Sequence, residues 1–179
     1  MKKLLSVLAV LFFLGILAFV AAPSLVSHDA PAPVPHKRVI DKTKPTLGVV
    51  RVSRVIDGDT IEIEGGERVR YIGMNTPETV DPRRPVQCFG KEASNKNKEL
   101  VEGKNVRLEK DISERDKYGR LLRYVFLGDQ FINLELVNEG YAYADTFPPD
   151  VKHQEEFLNA QRAARNAKRG LWAECPVKK

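Results

Sequence analysis

Three short segments of the 179-residue chain concentrate side chains able to do chemistry: Asp57-Gly58-Asp59-Thr60, the run from Arg70 to Thr79, and Asp116-Lys117-Tyr118-Gly119-Arg120. Taken singly, each reads as a turn or loop between strands, because Asp-Gly is a hairpin signal and short motifs recur by chance. Together they form a set with a mechanism. Asp59 and Asn75 offer hard oxygen ligands, and a loop carbonyl such as that of Thr76 adds another. Calcium accepts carboxylate, amide and carbonyl oxygens in flexible geometry. Glu78 sits beside those ligands as a candidate base, and Arg70 and Arg120 can each fork onto phosphoryl oxygens, which point-charge lysines do less well. A hard metal, a base and two arginines are what in-line phosphodiester hydrolysis requires, since preorganised cations stabilise the charge that builds on the phosphoryl oxygens.

The histidine count narrows the alternatives. Of 3 histidines, His28 and His36 lie in a proline-rich stretch, which leaves His153 alone in the globular part. That leaves no set of histidines for multi-histidine zinc chemistry and a single imidazole for any Ser-His-Asp triad, so both are nearly excluded. His153 is expected at the surface, at the start of the last helix.

The elements that must position these residues follow from hydrophobic period and turn signals. Val49 to Ile56 reads as a strand ending in the Asp57-Gly58 turn, Ile61 and Ile63 alternate with glutamates, and Gly65-Gly66 turns the chain into a third strand over Val69–Ile72. A proline-bearing loop runs from Met74 to Gln87. A helix fits Gly90–Val101, and two strands fit Val106–Lys110 and Leu121–Leu127. Asn133 is a plausible cap for a short helix ending at Gly140, and Asp150 for a last helix from Val151 to Arg169, closed by Gly170. No internal repeat is present. The pattern predicts an α+β fold: a five-stranded OB-type β-barrel with about three helices packed on it.

Ahead of this domain, Lys2 and Lys3 precede an apolar run from Leu4 to Val26, read as a signal peptide or membrane anchor over residues 1–26. Residues 27–46 carry Pro31, Pro33, Pro35 and Pro45 and read as an extended linker. The domain is assigned to residues 47–175, with a tail over 176–179. Either reading of the N-terminus takes the domain out of the cytoplasm, to the extracellular space or the cell surface, with a membrane tether if the segment is retained. In that compartment Cys88 and Cys175 are expected to form one disulfide; two unpaired thiols are the alternative. The net charge of +5 belongs mostly to the leader and linker. From Val49 onward the chain is nearly neutral, so placement of arginines, including a cluster at Arg162, Arg165, Lys168 and Arg169, says more about phosphate than the total does.

From about Leu47 to Trp172 the chain resembles the staphylococcal nuclease (thermonuclease) family. The matching stretches are VIDGDTIEI at Val55–Ile63, TPET at Thr76–Thr79 and DKYGR at Asp116–Arg120, with a late Gly-Leu-Trp at Gly170–Trp172. The resemblance implies an OB-fold barrel and a calcium-dependent endonuclease that acts on DNA and RNA and leaves 3′-phosphate ends. It makes Asp59 the carboxylate ligand, Thr76 the residue lending its carbonyl, Glu78 the general base, Arg70 and Arg120 the holders of the scissile phosphate, and Lys117 and Tyr118 the contacts to the neighbouring phosphate. A monomer with no protein partner is expected. Two departures stand out. Asn75 replaces a metal-binding aspartate, removing one negative charge from the site. After Tyr143, where the family places tyrosines beside the base, this chain reads Ala144-Asp145-Thr146-Phe147-Pro148-Pro149; Phe147 can offer a stacking face or join the core, and the core is the expectation. The rival to an enzyme is a non-catalytic OB module that binds single-stranded nucleic acid.

Overall fold

The computed structural model describes residues 46–83 and 85–175. The apolar segment, most of the linker and the tail lie outside the described residues. Alternation of apolar and polar residues makes the first strands: β1 (Thr46–Asp57) turns through Gly58 and Asp59 into β2 (Thr60–Ile63), whose Ile61 and Ile63 are buried between outward Thr and Glu side chains. β2 pairs with β3 (Arg68–Tyr71), where Val69 and Tyr71 point inward and Arg68 and Arg70 outward. β4 (Met74–Asn75) follows, then α1 (Gly90–Val101), β5 (Asn105–Glu109) and β6 (Leu121–Leu127).

Closure of the barrel depends on β1 serving two sheets. It pairs antiparallel with β2 along one edge and with β5 along the other, and its register slips at Val52/Arg54 and Val55/Asp57 bend it between them. β5 pairs with β6, and β6 pairs parallel with β3 at Val69↔Leu121, Arg70↔Leu122 and Tyr71↔Arg123. The ring β1-β2-β3-β6-β5 is therefore closed, as expected of an OB-type barrel. Its interior is filled by Val52, Ile61, Val69, Val106, Leu108, Leu121 and Val125, all buried.

The remaining elements cover the barrel. β7 (Gln130–Phe131) hairpins onto β6 and leads into α2 (Ile132–Asn138); β8 (Tyr143–Ala144) pairs with β4; α3 (Gln154–Asn166) and α4 (Leu171–Glu174) end the domain. α1 presents Ala93, Asn97, Leu100 and Val101 to the barrel, a helical stripe that the sequence period had located with the same bounds. Cys88 and Cys175 form the expected disulfide, with Cα atoms 5.9 Å apart across a sequence separation of 87.

Three expectations are corrected. Asn133 is not a cap: it lies inside α2, fully buried, where its Oδ1 accepts the Val125 N–H at 2.9 Å and its Nδ2 donates to the Ile72 carbonyl at 3.0 Å. Asp150 does not cap the last helix either. Its Oδ1 accepts the N–H groups of Ile112 and Ser113 at 2.9 and 2.8 Å, and α3 starts four residues later at Gln154 and ends at Asn166. His153 is not a surface residue. Its ring packs edge-on against Tyr124, centroids 4.7 Å apart, and against Phe131 at 5.1 Å, while Nδ1 meets Glu156. Capping and tertiary bridging use the same side chains, and only the folded environment separates them.

Asn133 joins β6 to the turn after β3. Asn133→Leu keeps the branched shape and strands the Val125 N–H and the Ile72 carbonyl, each worth roughly 1–3 kcal/mol when buried unpaired. Urea unfolding of this variant should show a loss of about 3 kcal/mol; an unchanged midpoint would contradict the bridging role.

Candidate active site

The site grows from one buried carboxylate. Asp59, 5% exposed, sits in the β1–β2 turn, where Asp57 Oδ1 accepts its N–H at 3.0 Å. Its Oδ2 accepts both the backbone N–H and the hydroxyl of Thr76 at 2.9 Å, which pins the loop after β4 to the turn. Its Oδ1 accepts the Thr60 hydroxyl at 3.1 Å and pairs with Arg70 Nη1 at 3.0 Å. Gly58 makes this approach feasible: a Cβ there would lie 2.6 Å from Thr76 Cγ2 and 2.8 Å from Thr76 Oγ1.

Both arginines hang from this network. Arg70 faces outward on β3, opposite Thr60, and its Nη2 donates to Asn75 Oδ1 at 2.8 Å. Arg120, immediately before β6, donates from Nη1 to the Thr60 hydroxyl at 3.4 Å and from Nε to Asp116 Oδ2 at 2.7 Å. Thr60 thus links Asp59 to Arg120, and the barrel's parallel β3–β6 pairing brings the two arginines to one cleft. Burial pushes the Asp116 carboxyl up, but the hydrogen bonds from Arg120 and from the Tyr118 N–H outweigh it and hold Asp116 below its ordinary range.

Asp57 is a member of the site that motif reading treated only as a turn residue. Burial, then the charge of Asp59, push its carboxyl up to about 7. Its carbonyl accepts Asn97 Nδ2 at 3.0 Å, and Asn97 in turn accepts the Tyr71 hydroxyl at 2.9 Å. A polar residue within the apolar stripe of α1 is the signal by which Asn97 can be found. Glu78 stands apart: its Oε1 accepts the N–H groups of Thr79, Val80 and Asp81 at 2.9, 2.8 and 3.2 Å, and it makes no hydrogen bond to Asp59, Arg70 or Arg120. Gln87 holds the Glu78 backbone from the other side, its N–H and Oε1 bonding the Glu78 carbonyl and N–H.

Arg70, Arg120, Lys117 and Tyr118 line one cleft of about 450 Å³ together with Asp145 and Phe147. Phe147 is 69% exposed, so it belongs to the cleft wall and not to the core as expected. Tyr118 is equally open, with Lys117 Nζ 5.1 Å and Arg120 Cζ 5.4 Å from its ring centroid. The basic cluster on and just after α3 does not line the cleft. Arg169 donates to the Asn138 carbonyl and Arg165 stacks over Trp172.

Among the described residues no three His, Cys, Asp or Glu side chains converge as a metal cage. The donors that do converge are oxygens: Asp59 Oδ1 and Asn75 Oδ1 both turn onto a single cation, the Arg70 guanidinium, with the Asp57 carboxyl bonded to the Asp59 N–H beside them. That set suits a hard ion such as calcium and not zinc.

A family model described as Staphylococcal nuclease homologue matches residues 68–174. The chain belongs to the staphylococcal nuclease family. It is 48% identical over 124 residues to a thermonuclease of Staphylococcus intermedius, covering 68% of this chain and 74% of that protein. A thermonuclease of Staphylococcus hyicus is 45% identical over 126 residues, covering 69% and 75%. Endonuclease YncB of Bacillus subtilis (strain 168) is 39% identical over 138 residues, covering 74% of this chain and 65% of that protein. In this nuclease domain the turn, the two arginines and the Asp116–Arg120 segment are all in place on one face.

The close contact at Gly58 gives a direct test of the turn. Gly58→Ala forces Thr76 off Asp59, an overpacking cost of about 1–3 kcal/mol, and should lower the thermal midpoint while shifting the Thr76 amide resonance. A variant that kept both would show that the turn and the loop are not coupled.

Proposed function

We propose that this domain is a calcium-dependent endonuclease that hydrolyses DNA and RNA to 3′-phosphate products after export from the cytoplasm. The observation that carries the reading is the fastening of two guanidiniums to one buried carboxylate, Arg70 directly and Arg120 through Thr60. Carboxylate-anchored arginines on a cleft wall are preset to receive phosphoryl oxygens, and they need little reorganisation as charge develops. The relatives named as thermonucleases and endonucleases support nucleic acid as the substrate.

In this reading Asp59, Asn75 and the Thr76 carbonyl hold calcium, which supplies positive charge against the phosphoryl oxygens. Arg70 and Arg120 bind the scissile phosphate. Glu78 keeps Oε1 on the 79–81 backbone, leaving Oε2 to orient the attacking water and take its proton. The water oxygen bonds to phosphorus, the bond from phosphorus to the 5′ oxygen breaks, and the leaving oxygen takes a proton from solvent. Lys117 and Tyr118 contact the neighbouring phosphate, and the exposed Phe147 ring offers a face for a base. Export is supported by the Cys88–Cys175 disulfide, a feature of oxidising compartments, and by the apolar sequence of residues 1–26, read as a signal peptide or membrane anchor.

Incubating the protein with plasmid and with RNA, in millimolar calcium and then with chelator, tests the reading; binding without cleavage in calcium would return the domain to the OB binding modules. Arg120→Ala should cut turnover roughly a hundredfold, measured as initial cleavage rate at saturating calcium. Affinity for calcium follows ligand charge, so Asn75→Asp should reach half-maximal activity at lower calcium than the natural chain. An unchanged calcium titration would remove Asn75 from the ligand set.

A further inference from the structure

A second cleft of about 400 Å³ lies on the other side of Tyr118 and Arg120, lined by Gly66, Glu67, Arg68, Arg115 and Gly119 together with those two residues. Tyr118 and Arg120 are therefore a ridge shared by two clefts. The first sets apolar wall from Ile72, Met74, Leu122 and Phe147 beside Arg70, Lys117 and Arg120, and suits a base together with its phosphate. The second carries three arginines against one glutamate and suits an anion.

Its cations are arranged for this. Arg68 and Arg70 flank the buried Val69 on the outward side of β3, a two-residue step of about 6.6 Å, close to the step between successive phosphates of an extended single strand. Arg68 is exposed and makes no hydrogen bond or close ion pair among the described residues; its charge is felt by Glu62 across the strand pair. Arg115 is held in the cleft by Glu67, at 2.7 and 3.2 Å, and by the Gly119 carbonyl at 2.7 Å. Those bonds fix the guanidinium in place and leave Glu67 as the acid that competes with an incoming anion.

We infer that Arg68 and Arg115 form a binding site for a further phosphodiester of the substrate strand, beyond those at Arg70/Arg120 and at Lys117/Tyr118, on the far side of Arg120 from the first cleft. The strand would then cross the Tyr118–Arg120 ridge with a nucleotide held on each side of the bond to be cut, as internal cleavage requires. This rests on the nuclease reading above and extends it to a site beyond the scissile phosphate.

The test measures binding, so that it does not depend on turnover. Anisotropy of a labelled single strand and of a labelled dinucleotide, titrated with the full chain in chelator, is compared for the natural protein, Arg68→Gln and Glu67→Gln over a range of salt. Arg68→Gln should weaken the long strand roughly tenfold, lower the slope of log K against log salt by about 1, and affect the dinucleotide much less. Glu67→Gln should tighten the long strand by freeing Arg115 and removing the competing acid. Equal weakening of both ligands by Arg68→Gln, or an unchanged affinity and salt slope, would overturn the site. Failure of the natural chain to cut either ligand in calcium would count against the nuclease reading alone, because the binding comparison stands without it.

Discussion

Everything functional in this domain depends on taking one carboxylate, Asp59, out of water. Burying an ionised group is costly unless its lone pairs are matched by donors. Asp59 meets that requirement with four partners drawn from three parts of the chain: Thr60 beside it, Arg70 on β3, and the N–H and hydroxyl of Thr76. Satisfying the charge and assembling the site are the same event. The turn, the strand and the loop cannot separate without leaving a bare carboxylate in the interior.

The barrel supplies what that carboxylate cannot reach alone. Arg120 comes from more than forty positions further along the chain than Arg70, and it is brought alongside by the parallel β3–β6 pairing that closes the ring. Parallel pairing cannot be made by a tight hairpin and needs a long crossover, here the stretch that holds α1 and β5. The helix is thus not an accessory. Through Asn97 it also holds the backbone of the Asp57 turn and the hydroxyl of Tyr71, so the packing of α1 sets the position of the turn that carries Asp59.

How much of this was legible before folding varied with the physics of each feature. β2 and β3 alternate cleanly because one face is core and the other solvent, and α1 carries a stripe of helical period; both were readable. β4, β7 and β8 are two-residue pairings, too short to carry a period, and were not. The motif residues Asp59, Arg70, Asn75, Thr76 and Arg120 were found because their chemistry is unusual for loops, and the fold brings them into one bonded network. Lys117 and Tyr118 join the arginines on the cleft wall, while Glu78 stays on its own loop. Asp57 was passed over because Asp-Gly is a sufficient turn signal by itself. Asn133 and Asp150 were misread as caps because local and long-range partners ask for the same side chain. Phe147, followed by Pro148 and Pro149, is exposed and takes no part in the aromatic cluster that holds Phe157 and His153.

The Cys88–Cys175 bond divides the domain in a way that its secondary structure does not. Residues 88 to 175 become a covalent ring containing the four helices, β5 and β6, while β1, β2 and β3 form an open arm that precedes it. The site straddles that boundary: Asp59, Arg70, Asn75, Thr76 and Glu78 belong to the arm, and Lys117, Tyr118 and Arg120 to the ring. In an oxidised chain the ring is already closed when the domain unfolds, so the conformational freedom it loses is lost in both states. In the folded domain the arm lies along the ring through two pairings, β1 with β5 and β3 with β6. The candidate site is complete only where the arm is seated on the ring.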